Sequence, residues 1–522
     1  MFDYKKLTKK YLYATIIIIF SFIINWRYAG YGVFPIDSFL HYDSAYRILN
    51  GEFPIRDYWS VAGLSVDFIQ AFFFKIFGIN WNAYIIHSSL FNSIISILTF
   101  YILIKLNLSK TSAFFYSICF AILAYPVSGS PFVDLHATFF CVLAIYFTFL
   151  AVQNPNNNLN WFLIVSFFFL AFLSKQVPTT YIVILNTIII ASYLLSEKKF
   201  KPLIVIFLSI LFYLLIFILS LLILNINFSD FYIQYIDFPQ SIGSDRLRTF
   251  RLSFDGFVND FKFILVPLIF IFIIKINKVI KSKIKISSSE FINFLIFFGL
   301  CLSLFIHQVL TNNQIYIYFL IPLTFALLQI EVKKLNIKHK NKFIYFIVFL
   351  VIFSTVKYHI RYNENRKFND LSSIDISKHA DAGEIHKSLK GISWVTPFYN
   401  GSPQDEIEMI KKIKEQIDKK KNDLMLITHY LFLDSITLTS LNSPSKTHTP
   451  DGASIPMPNN KHFLYYKNFL YKKLRKENIN EVYFIKNDIH LEIITQFFEK
   501  DCYKKVEEDL LVIFKLSKKC FN

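Results

Sequence analysis

The chain has 522 residues, 54% of them hydrophobic, and a mean hydropathy of +0.43. The apolar residues come in runs near twenty long, which excludes a soluble globular protein and defines a polytopic α-helical membrane protein. The formal net charge of +18 does not signal nucleic acid, because the lysines cluster in short loops between apolar runs, the positive-inside pattern.

Lys5, Lys6, Lys9 and Lys10 assign the N-terminus to the cytoplasm. The apolar run at about 11–26 lacks a small-residue cleavage site and reads as a retained helix rather than a signal peptide. Next comes the stretch 34–78, which gathers Asp37, His41, Asp43, Asp57 and Asp67 among Phe, Ile and Leu. Its segment 60–77 is apolar but holds Asp67, Gln70 and Lys75, so it is expected as an interfacial or re-entrant helix rather than a span. Apolar runs follow at about 83–104, 111–127, 132–152, 161–174, 178–195, 202–224, 262–276, 291–308, 314–331 and 342–357, which makes about 11 transmembrane helices. Alternation places the lysine-rich loops around 105–110, 198–201, 275–285 and 333–342 inside. The lysine-poor loops at 128–136, 174–178, 225–261 and 307–314 then fall outside.

From about Tyr358 the apolar runs shorten and Lys, Asp, Asn and Ser dominate. The helical period of 404–420 and the apolar segments 424–432, 481–486 and 510–516 predict a C-terminal extracytoplasmic α/β domain. An odd number of spans puts it outside, and a long domain translocates whatever its charge. The expected domains are thus 1–357, transmembrane, with an acidic outer loop at 27–82, and 358–522, soluble. Cys119, Cys141 and Cys301 fall in apolar runs and read as small hydrophobes. Cys502 and Cys520 are the two cysteines of the outer domain; an oxidising compartment permits a bridge between them, and spacing does not decide it. No zinc-type spacing, nucleophile elbow, P-loop or HExxH is present.

Asp37 and Asp57 share one extracytoplasmic loop across the Gly51 and Pro54 break, an arrangement that suits acid/base work or a divalent cation as well as plain solvated acids. Lys175 is the one lysine between Lys110 and Lys198 and interrupts an apolar run, followed by Gln176. An ammonium there either snorkels to the interface or binds phosphate as a point charge. Asp134 and His136 stand together at the outer start of a span, as a structural or a catalytic pair. His307, Gln308, Asn312, Asn313 and Gln314 supply polar groups at another outer end, for a hydroxyl-rich ligand or a helix cap. Arg246, Arg248 and Arg251 mix with Asp237, Asp245 and Asp255 in the 225–261 loop, which reads as solvated loop charges or as a cover over a site with Arg meeting a lipid phosphate.

Together these residues resemble a known class. Asp37, then AYRILNG (45–51), PIRDYW (54–59) and KIFG (75–78), follow in order the outer-loop pattern of polyprenyl-phosphate-sugar-dependent membrane glycosyltransferases of the C-type (GT-C) fold, the group of aminoarabinose transferases and protein O-mannosyltransferases. Lys175 and the aromatic-Pro span QIYIYFLIP (314–322) are also similar. Ser38 departs from the second acidic position, a role open to His41 or Asp43. The resemblance covers about 1–357 and implies inverting transfer of a sugar from a polyprenyl-phosphate carrier to a lipid, glycan or protein acceptor on the outer face of the plasma (inner) membrane. It implies Asp37 and Asp57 as catalytic residues, and His41, Asp43, Asp134, His136, Lys175, Gln176, Gln308, Asn312 and Gln314 as substrate-binding ones. It requires no cofactor, leaves a divalent metal open with ligands unassigned, and involves no nucleic acid. Competing classes are a polysaccharide polymerase or ligase, which typically uses Arg and His in large outer loops, and a flippase or transporter, for which inward-facing charges and half-to-half repeats would speak.

Overall fold

The structure, a computed structural model, describes residues 4–249, 258–311, 316–336, 338–420, 424–449, 452–486, 490–517 and 520. In chain order the first helices are α1 (Tyr4–Ala29), α2 (Pro35–Leu49), α3 (Leu64–Phe77), α4 (Trp81–Lys105), α5 (Lys110–Leu123) and α6 (Val133–Gln153). Then follow α7 (Asn158–Ser174), α8 (Gln176–Ser196), α9 (Phe200–Ile223), the single turn α10 (Phe228–Phe231), α11 (Phe238–Thr249) and α12 (Asp260–Ile280). The remainder are α13 (Ser289–Leu310), α14 (Leu320–Lys334), α15 (Lys340–His359), α16 (Pro403–Asp418), α17 (Phe463–Lys476) and α18 (His490–Thr495).

All eleven expected apolar runs are helical, as α1, α4 to α9 and α12 to α15. Among the described residues nine helices are long and apolar enough to cross a membrane, and the chain is an integral membrane protein. The two shorter ones have local causes. The Asn157 side chain caps α7 by accepting from Leu159 N–H at 3.1 Å, and the helix stops where Lys175 turns extended (φ −156°, ψ 136°). The stretch before α14 is a 3₁₀ turn, Ile317–Phe319, and Pro322 sits in the first α-helical turn, where a missing N–H costs nothing. The short helix α3 buries Asp67, Gln70, Ala71 and Phe74 while Phe68, Phe72, Ile76 and Phe77 are exposed. A helix that hides its polar side and presents phenylalanines suits an apolar boundary, in keeping with the interfacial reading.

The chain folds as two compact units, each spanning several chain segments. The first comprises Met1–Ala29, Ile85–Phe217 and Phe250–Phe368. The second comprises Gly30–Tyr84, Ile218–Thr249 and Asn369–Asn522. The second carries a two-stranded ribbon, β1 (Ala380–Asp381) with β2 (Ser393–Trp394), and a sheet of β3 (Met425–Ile427), β4 (Glu481–Ile485), β5 (Tyr503–Glu507) and β6 (Leu511–Leu516) in the order β3-β4-β6-β5. β3 pairs β4 in parallel (Leu426 opposite Tyr483); β4–β6 and β6–β5 are antiparallel. The expected strand 424–432 is shorter because the chain breaks into a 3₁₀ turn at Leu431–Ser435. The core beneath the sheet packs Met425, Ile427, Val482, Phe484 and Phe514 against Tyr466, Leu470 and Leu474 of α17, and it includes Trp59 and Phe238. Cys502 and Cys520 form a disulfide, with Cα atoms 5.6 Å apart.

Candidate active site

In the second unit, α2 presents the acidic motif. Pro35 at the first helical position fixes the start of the helix, and Phe34 N–H donates to Ser38 Oγ at 3.0 Å. Ser38, the departure from the acidic pattern, therefore serves as a capping partner. Asp37 lies in this first turn, where the helix dipole favours a carboxylate, and it is half-buried. The other carboxylates of the stretch, Asp43, Asp57 and Asp67, are buried.

Each buried carboxylate is claimed by cations. Asp57 Oδ2 accepts from Phe53 N–H at 2.9 Å and from Arg56 Nε at 2.8 Å, and Oδ1 from Lys476 Nζ at 3.2 Å. Burial pushes its carboxyl up, but Arg56, the Phe53 amide and Lys476 outweigh that and hold it below the usual carboxylate range. Asp67 lies 2.6 Å from His41 Nδ1 and accepts from Lys446 Nζ at 2.8 and 2.6 Å through its two oxygens. Burial raises Asp67 to about 7 against the pull of Lys446. His41 is pushed well below its ordinary value by burial and then by Lys446, so its imidazole is neutral and Nδ1–H donates to Asp67. Its Nε2 is buried without a hydrogen-bond partner among the described residues. Asp43 is raised by burial, with Arg47 opposing from 3.9 Å. Arg47 itself donates to Glu52 from Nε at 3.1 Å and Nη2 at 2.7 Å, donates to Ser443 O at 2.9 Å, and stacks 3.8 Å from the centre of the Tyr58 ring.

In the first unit a second polar group surrounds the start of α6. Gly129 holds the preceding loop close: its φ is +78°, a Cβ there would stand 2.6 Å from Ala29 Cα, and its carbonyl accepts from Asn25 Nδ2 at 3.0 Å and Ser88 Oγ at 2.6 Å. Asp134, in the first turn of α6, accepts from Lys175 Nζ at 2.8 Å through both oxygens, and His307 Nε2 lies 3.2 Å from Oδ1. Lys175 reaches it because the break between α7 and α8 leaves that residue extended. His136 turns to other partners, with Nε2 3.0 Å from His87 Nε2 and Nδ1 against the Tyr125 hydroxyl, which in turn accepts from Phe132 N–H at 3.1 Å. One imidazole of the His87–His136 pair must donate and the other accept. Gln176 opens α8, and Gln308 is buried near the end of α13. Asn312 and Gln314 lie outside the described residues.

The structure thus gathers Asp37, His41, Asp43 and Asp57 in one unit and Asp134, His136, Lys175, Gln176 and Gln308 in the other. Sequence reading missed Lys446, Arg47 and His87 as members of these groups. Lys446 sits in a Ser/Thr/Pro-rich loop without periodicity, where nothing local signals burial. Among the described residues no group of three or more His, Cys, Asp or Glu side chains could hold a metal ion.

Residues 62–223 match the model of the dolichyl-phosphate-mannose-protein mannosyltransferase family. The matched segment begins beyond Asp57 and takes in Asp67, Asp134, His136 and Lys175. The match supports the resemblance to membrane glycosyltransferases over that segment and leaves Asp37 and the stretch up to Val61 outside it. Among solved structures, the chain is similar to ArnT from Cupriavidus metallidurans bound to undecaprenyl phosphate, at 11% identity over 97% of both chains with a TM-score of 0.47. It is also similar to the apo state of that protein, at 12% identity over 96% of this chain and 97% of that one, with a TM-score of 0.41. No curated protein matches the sequence.

Proposed function

We propose that this protein is an inverting glycosyltransferase that moves a sugar from a polyprenyl-phosphate carrier to a hydroxyl or amine of a lipid, glycan or protein acceptor at the outer face of the membrane. The observation that carries the assignment of the base is exposure at the motif position: Asp37 is half-buried in the first turn of α2, whereas Asp43, Asp57 and Asp67 are buried. Asp37 takes the acceptor proton as the acceptor oxygen or nitrogen attacks the anomeric carbon. The bond from that carbon to the phosphate oxygen breaks, and the carrier phosphate leaves with the electron pair. Within the first unit, Lys175, its ammonium held by Asp134, is the cation proposed to bind a carrier phosphate. Asp57 is a positioning residue in this scheme, since its cations leave it a weak base. A location in the plasma (inner) membrane, with the N-terminus inside and the C-terminal part outside, is supported by the lysine-rich loops, by the eleven apolar helices and by the Cys502–Cys520 disulfide, a bond of oxidising compartments.

The test is transfer from a radiolabelled polyprenyl-phosphate sugar by membranes holding the protein, with label followed into lipid, glycan and protein fractions. Asp37→Asn keeps size and polarity and removes basicity, so turnover falls by about 10² to 10⁴ while donor binding persists. Asp57→Asn, measured at matched expression, loses less. Near-normal turnover in Asp37→Asn, or a larger loss in Asp57→Asn, would overturn the assignment of the base. Label that crosses the membrane without transfer would point to a flippase instead.

A further inference from the structure

A cavity of about 260 Å³ lies in the second unit, and one wall of it is a single face of α17. Tyr465, Asn468, Phe469, Lys472 and Lys476 recur there at one-turn intervals. Arg56 and Asp230 are part of the same lining. Arg56 Nη1 donates to the carbonyl of Leu224 at 3.0 Å, and Leu224 is the first residue beyond α9. α9 is the most apolar of the membrane-crossing candidates, and its last two side chains, Leu222 and Ile223, are 67% and 76% exposed. The cavity is therefore tied to the point where a spanning helix leaves the apolar layer, the level of lipid headgroups.

The charges do not cancel. Among the lining carboxylates, Asp57 is taken by Arg56 and Lys476, Glu477 lies 3.2 Å from Lys476, and Asp230 accepts from the Tyr465 hydroxyl. Lys472 and Asn468, both exposed, have no hydrogen-bond or ion-pair partner among the described residues. Lys473, buried in the same wall, is pushed down to about 8 chiefly by burial and then by the neighbouring Arg47, and it donates to Asp57 O at 2.9 Å. A free ammonium and a free amide beside two aromatic rings offer an anion its donors and offer the adjoining glycerol or sugar carbons an apolar wall.

We propose that this cavity binds the net-anionic, phosphate-bearing headgroup of a membrane lipid, with Lys472 and Asn468 on the phosphate and Tyr465 and Phe469 against the carbons attached to it. This site is separate from the acidic motif of α2 and does not depend on the sugar-transfer reading.

The test is equilibrium binding to the purified full-length protein in detergent, with three probes: dihexanoyl phosphatidic acid, dihexanoyl phosphatidylcholine and inorganic phosphate. Phosphatidic acid should bind at least about tenfold more tightly than either of the others, and Lys472→Glu should lose about that factor while Lys472→Arg keeps most of it. Asn468→Glu supplies a second charge reversal on the same wall, and unchanged thermal unfolding certifies that each variant is folded. Inorganic phosphate binding as tightly as phosphatidic acid would overturn the lipid source. Equal binding of phosphatidylcholine, or phosphatidic acid binding that survives both reversals, would overturn the site itself.

Discussion

Lys446→Met is the sharpest perturbation of the acidic motif. Lys446 Nζ donates to Asp67 at 2.6 and 2.8 Å and to Ala62 O at 3.1 Å, and both partners of the ion pair are buried. Removing one member of a buried pair leaves a carboxyl that must either stay charged without a partner or take up a proton, and costs up to about 3–5 kcal/mol where it is charged. At about 2–4 °C per kcal/mol for a unit of this size, the thermal midpoint should fall by up to roughly 6–20 °C. The double variant Lys446→Met/Asp67→Leu removes both charges, leaves the neutral His41 Nδ1–H without its acceptor, and should recover part of the loss. The sign of the pH dependence follows from Asp67. Its carboxyl stands at about 7, above its ordinary value, so below that pH the folded chain holds a proton that the unfolded chain has released, and stability falls as pH rises toward 7. Without Lys446 the carboxyl moves higher, and the fall continues past 7 at about 1.4 kcal/mol per pH unit. Lys446→Met should therefore be hurt more at pH 8 than at pH 5. Thermal unfolding of the full chain in detergent at both pH values reads this directly. A loss equal at the two pH values, or a double variant as unstable as the single one, would refute the reasoning.

Two further outcomes are expected. Lys175→Ala should raise the donor KM strongly and leave Asp134 without its ammonium, while Lys175→Arg, which can still reach a carboxylate and a phosphate, should retain part of the activity; unchanged donor dependence at normal protein level would leave Lys175 only a structural partner of Asp134. Mass spectrometry without reduction should find Cys502 and Cys520 linked, and Cys502→Ala should lower stability by about 2–4 kcal/mol; two free thiols in the purified protein would contradict the pairing.

The helices were legible because apolar runs are long and uniform: all eleven appear, and those that differ do so where a cap or a proline decides the length, at Asn157 and Pro322. The sheet was legible where its strands are apolar, at β4 and β6. It was missed at β5, whose YKKVE segment is a polar edge that does not alternate like a half-buried strand. In the site, the solitary position of Lys175 drew attention by itself, yet its pairing with Asp134 and His307 depends on three helix ends meeting, which no local pattern encodes. The same holds for Asp67 and Lys446, which are separated by 379 residues and become neighbours only through tertiary folding.

That separation bears on how acidic residues acquire roles. Several carboxylates within one short stretch repel one another, and a low-dielectric setting magnifies the effect. The chain relieves it with cations drawn mostly from elsewhere. Lys446 answers Asp67, Lys473 and Arg47 answer Glu52, and Lys476 joins the local Arg56 on Asp57. Each paired carboxylate becomes a structural joint between α2, α3 or the intervening loop and the C-terminal part of the same unit. A density of Asp in sequence therefore marks where a site can be built, while the distribution of lysines far along the chain decides which Asp becomes such a joint. The proposed mechanism uses the half-buried Asp37 of the first turn of α2, and comparing Asp37→Asn with Asp57→Asn at matched expression tests that choice.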